Sequence, residues 1–128
     1  MRYTHDRTIT DASIDDEDGR IRKALGARGF GVLTEIDVKA TLKAKIGAEV
    51  DDYCILGACS PSMAYKAIQV EPRVGAMLPC NVILRAVAGG VEISAIDPVA
   101  SMQAINNDDL HKIAAEVRKM LVEAVEAA

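Results

Sequence analysis

The sequence predicts an α+β fold, with helices packed across one face of a sheet that is at most mixed. The predicted order is β-α-β-α-β-α-β-β-α. Three observations carry that prediction. Residues 80–97 pattern as two apolar runs joined at Gly89-Gly90, and a hairpin is antiparallel by construction. Residues 106–126 pattern as a helix with a single apolar stripe, and a sheet is the only surface large enough to bury that stripe. Before residue 80, strand-like runs alternate with helical periods, each boundary marked by Gly, Pro or an N-capping side chain.

Each element follows from local chemistry. Residues 2–10 alternate weakly and end in Thr8-Ile9-Thr10, a first strand. Ser13, with Asp16 three positions on, opens the first helix in a near capping box. Ile14, Ile21 and Leu25 share its apolar face, and Gly29 is its expected left-handed C-cap. Phe30 to Ile36 is the second strand. Asp37 caps a short second helix with Val38, Leu42 and Ile46 at four-residue spacing, stopped by Gly47. Tyr53 to Ala58 is the third strand. Ser60-Pro61 then places an N-cap before a proline at the first helical position, and Glu71-Pro72 closes the third helix near Val70. Cys80 to Val87 and Val91 to Asp97 are the hairpin strands, with Pro79 at the entrance, where a strand tolerates it. A helical turn is expected within residues 99–105. Asn106 or Asn107 caps the last helix. Its core face is Leu110, Ile113, Ala114, Val117, Met120, Leu121, Ala124 and Val125.

Composition bounds the function. A chain of 128 residues fits one domain and buries enough surface for a core without disulfides or a structural metal. Net charge is −4 with the two signs interspersed, and one Phe, three Tyr and no Trp leave little to stack on bases. Nucleic acid is therefore not an expected partner. The first residues lack an apolar signal-peptide core. The longest apolar stretch, Gly75 to Leu84, is broken by Pro79 and Asn81, far short of the ~20 residues of a membrane span. A cytoplasmic protein with no membrane partner is expected, its Cys54, Cys59 and Cys80 held as thiols. No P-loop, GxGxxG, GxSxG or HExxH pattern occurs.

Four segments carry a resemblance: GFGVLTEIDVKATLKAKIG (Gly29 to Gly47), ILGACSPSMAYKAI (Ile55 to Ile68), LPCNVIL (Leu78 to Leu84) and AIDPVASM (Ala95 to Met102). In order and spacing the chain resembles a bacterial and archaeal family known as domain of unknown function 302. That family commonly has Cys-Asn-Pro where this chain has Cys59-Ser60-Pro61. Both Asn and Ser are good N-caps, so the helix start survives the change. The resemblance implies a curved, largely antiparallel five-stranded sheet with helices across it, similar to the TATA-binding-protein architecture. It also implies a homodimer. It brings no activity or cofactor, and that architecture hosts several kinds of binder.

Among candidate chemical groups, Cys59 stands at a strand end just before a helix N-terminus, where partial positive charge favours a thiolate. Cys80 stands at the mouth of the next strand, 21 positions on. If the two strands are neighbours, the thiols form a pair for a soft metal ion such as Cu(I) or Zn(II), or for disulfide cycling. Both cysteines fall within the family motifs. The competing reading makes them small core residues and assigns the work to an apolar pocket between the last helix and the sheet. Two thiols do not complete a zinc site, so His5, His111 or a dimer mate would have to add ligands. Cys54 is expected to be a packing residue, and His111 to be solvated. Asp37 and Asp97 would form an acid/base pair only if they converge, and local capping explains each. Lys39, beside the second helix's first N–H groups, is a candidate anion contact. Met63, Met77, Met102 and Met120 are thioethers that a soft site could recruit.

Overall fold

The computed structural model describes residues 2–128. Five strands form one open sheet: β1 (Thr4–Thr10), β2 (Gly31–Asp37), β3 (Tyr53–Cys59), β4 (Cys80–Val87) and β5 (Gly90–Ile96), in the spatial order β1-β5-β4-β3-β2. Every pairing is antiparallel, so the sheet is not mixed. The helices are α1 (Ile14–Gly26), α2 (Val38–Ile46), α3 (Pro61–Val70), α4 (Pro98–Ser101) and α5 (Asp108–Ala127). The order agrees with the predicted one, apart from a 3-10 segment over Pro72–Met77 that the sequence did not announce.

Register decides which side chains meet the helices. Leu56 opposes Val82 and Ala58 opposes Cys80. Val82 in turn opposes Ala95, and Leu84 opposes Ile93. These residues are buried and define the helix-covered face. Against them pack Ile21, Ala24 and Leu25 of α1 and Val117, Leu121, Ala124 and Val125 of α5. A second cluster joins Ala67, Val74, Met102, Leu110 and Ala114 beneath α3. Leu78 and Ile113 belong to the margins of both clusters.

The helix ends obey the capping chemistry read from the sequence, with two differences. Ser13 Oγ accepts from the Asp16 N–H, Asp37 from Ala40 and Asn107 from Leu110. However, α1 ends at Gly26 with Ala27 as C-cap. Gly29, at φ +82°, instead turns the chain into β2, and the Phe30 N–H returns to the Leu25 carbonyl. Ser60 occupies the N-cap of α3, but its side chain makes no capping bond. The apolar repeat of α2 is not a core face: none of its residues is buried, and Ile46 is exposed. Among the described residues no helix is long and apolar enough to cross a membrane.

Candidate functional site

β3 ends at Cys59, and β4 begins at Cys80 opposite Ala58. The 3-10 segment and the Leu78–Pro79 bond bring the chain back from α3 so that these antiparallel neighbours start and stop at the same end of the sheet. Cys59 and Cys80 line one cleft there. α3 supplies Met63, Ala64 and Ala67, the α4 region supplies Pro98 and Met102, and α5 supplies Leu110, Ile113, Ala114 and Val117. Phe30, Ala58, Ser60, Leu78 and Pro79 complete the wall. The cleft is open at its mouth, and the cavity within it measures about 40 Å³. Among the described residues no charged side chain lines it, and its sulfur-bearing residues are two cysteines and two methionines.

Electrostatics follow from that lining. Cys80 is 6% exposed. Burial, and after it the neighbouring Cys59, pushes the Cys80 thiol up to about 11. Cys59 is half-buried and directly precedes the N-cap of α3, where no side chain competes for the first N–H groups. Such a site disfavours ions and hard ligands. It favours an apolar body, or a soft cation whose charge thiolate ligands would offset.

A second group was not anticipated. Cys54 opposes Asp37 across β2 and β3 and lies beside α1. One ligand atom each from Asp18, Glu35 and Cys54 lies within 4.8 Å of the others, the spacing of a possible metal cluster. The Cys54 thiol approaches Glu35 Oε1 at 3.9 Å. Burial first, then Glu35, pushes it up to about 11. The Arg22 guanidinium already serves this group, at 2.9 Å from Asp18 and 3.2 Å from Glu35. It neutralises the carboxylates and competes with any cation. Only the strand register brings Cys54 to Glu35, and no sequence spacing signals it.

The remaining candidates lie apart from the cleft. Asp37 caps α2 and stands five positions along β3 from Cys59, opposite Cys54. Lys39 pairs with Asp52 at 3.5 Å rather than turning to the first N–H groups of α2. Asp97 accepts from the Val99 and Ala100 N–H groups and meets Arg118 at 3.3 Å. β2 and β5 are three strand spacings apart, about 14 Å, so Asp37 and Asp97 do not converge as an acid/base pair. His5 pairs with Glu126 at 2.8 Å, away from both cysteines. His111 is only half-exposed, and its Nε2 is buried without a hydrogen-bond partner among the described residues, so it is not a solvated ring. Met63 and Met102 reach the cleft, whereas Met77 and Met120 do not line it.

The fold and the cleft define an open-faced α+β protein with a sulfur-rich apolar site at one end of its sheet. The family model described as domain of unknown function DUF302 matches residues 5–128, and the chain belongs to that family. A crystal structure of an uncharacterized conserved DUF302 protein from Bacillus stearothermophilus is similar, with a TM-score of 0.93 at 24% identity. The match covers 99% of this chain and 98% of that one. No curated protein matches the sequence.

Proposed function

We propose that the chain is a binding module for a soft ligand, held by Cys59 and Cys80 in the cleft beneath α3 and α5. The observation that carries this reading is that both thiols line one cleft with Met63 and Met102 and without a charged side chain. A soft monovalent cation fits that donor set, because thiolates and thioethers select it over hard ions. Binding releases the Cys80 proton, so the raised thiol affinity for protons makes uptake stronger as pH rises.

The test is anaerobic titration with Cu(I) against a chromophoric chelator, read together with native mass spectrometry. One ion per chain is expected, with affinity lost in Cys59→Ser and in Cys80→Ser and weakened in Met63→Leu. Affinity unchanged in both cysteine variants would sink the proposal. The apolar walls from Phe30, Leu78, Leu110 and Ile113 favour a second reading, an apolar-ligand pocket with structural cysteines. In that case an environment-sensitive apolar dye binds parent and Cys59→Ala alike, and Cu(I) does not displace it.

A further inference from the structure

The sulfur atoms near the cleft divide between its interior and a second space beside it. Inside, Cys80, Met63 and Met102 are buried, and Cys59 is half-buried. Beside the cleft lies an open hollow of about 280 Å³, several times the 40 Å³ of the inner cavity. Leu78, Pro79 and Cys80 line both spaces and so form the wall between them. Met77 lines the hollow and is 40% exposed. Among the described residues it is the one exposed methionine. The hollow has no charged lining residue, and its polar ones are Asn81 and Ser101. Met77 ends the 3-10 segment, and the three residues from it to Cys80 span at most about 11 Å.

We infer that Met77 is the entry donor of the cleft: it takes a soft monovalent cation from an outside carrier in the hollow and passes it to the thiols across the shared wall. The inference rests on the soft-cation reading of the cleft. A bare ion does not cross an apolar lining unaided, so it must travel from one ligand to the next. A thioether selects soft ions and carries no proton, so it captures without waiting for ionisation. A thiol must first shed its proton. The hand-over is a ligand exchange. The bond from the ion to the Met77 sulfur breaks as the bond to a cleft thiolate forms, the thiol proton leaves to water, and the ion stays monovalent. An ion held that close to the wall is at an effective concentration of about millimolar, far above a micromolar carrier in solution. Met77 therefore sets the rate of loading, while the ligands inside the cleft set the affinity.

Stopped-flow transfer of Cu(I) from its bicinchoninate complex to the full chain, without oxygen, tests the inference. Met77→Leu keeps the bulk and removes the sulfur. It should load and release the ion at least about tenfold more slowly, with the dissociation constant unchanged. Met120→Leu, which lines neither space, should match the parent in rate. Equal rates for the parent and Met77→Leu, with Cu(I) bound by both, overturn the entry role and leave the cleft reading standing. A dissociation constant that weakens in step with the Met77→Leu rate also overturns it, because Met77 would then be a ligand of the resting ion. A parent that takes up no Cu(I) overturns the cleft reading itself, and the entry role falls with it.

Discussion

Cys80 is held neutral by the same burial that gives the cleft its character, and this has a measurable sign. Its folded-state pKa is raised from 9.0 to about 11. In the unfolded chain the thiol ionises first, so the folded state holds more protons above pH 9. Stability from this group is complete below pH 9 and is lost as pH climbs toward 11. The loss amounts to about 2 kcal/mol, and Cys80→Ala should flatten that limb of the denaturation curve. The same shifts order chemical labelling. At pH 8 a thiol titrating near 11 is about 0.1% thiolate, so iodoacetamide should modify Cys59 before Cys54 and Cys80. Faster loss of Cys80 than of Cys59, followed by peptide mapping, would contradict this account. Glu17 is a buried polar group elsewhere in the core. It is fully buried, bonded by Arg20, and its Oε2 has no partner among the described residues. Breaking such a pair costs more than replacing it whole.

At the scale of elements, α5 depends most visibly on one side chain. Asn107 Oδ1 accepts from the Leu110 N–H, while its Nδ2 donates to the Val70 carbonyl at the end of α3. One residue thus caps one helix and fastens it to another, and both helices wall the cleft. Asn107→Ala should cost about 2 kcal/mol in urea denaturation, at the upper end for an N-cap, because the Val70 carbonyl also loses its donor. Asn107→Asp should recover the capping part only. What the sequence disclosed at this scale was local. The Gly89-Gly90 hairpin, the Asp37 and Asn107 caps and the stripe of α5 each depend on neighbours within a few positions, and each lies where the pattern put it. The Cys54–Glu35 contact depends on pairing between β2 and β3, which no local pattern specifies. The apolar spacing of α2 marked the helix but not its burial, because a helix fixed at the sheet margin by its caps need not bury its stripe. The cleft was half legible. Cys59 and Cys80 stood out by position, but their apolar company required α3, α4 and α5 to converge.

At the scale of the whole molecule, the first strand and the last helix are bound together. Arg7 lies on the helix-covered face of β1, and its Nη1 donates to the carbonyls of Val125, Glu126 and Ala128 at 3.1, 2.9 and 2.7 Å. They lie at the C-terminal end of α5, where a cation is favoured. Arg7→Ala should loosen α5 and β1 together. Amide exchange should rise in the last turn and in Thr4–Thr10 while β3 and β4 stay protected. Exchange that rises in only one of the two segments would show that Arg7 does not couple them.

The irregularity in β2 has a consequence beyond its own strand. Between Val32 and Thr34 the register slips by one residue, so Leu33 has no partner on β3. An open sheet has two raw rims of unpaired amides and carbonyls, and β2 is one of them. A straight rim is a template on which identical chains stack into endless ribbons. The slip kinks this rim out of the flat geometry that ribbon growth needs, and Asp37 adds a negative charge at its end. Copies of the chain are thereby steered away from stacking side by side along this rim.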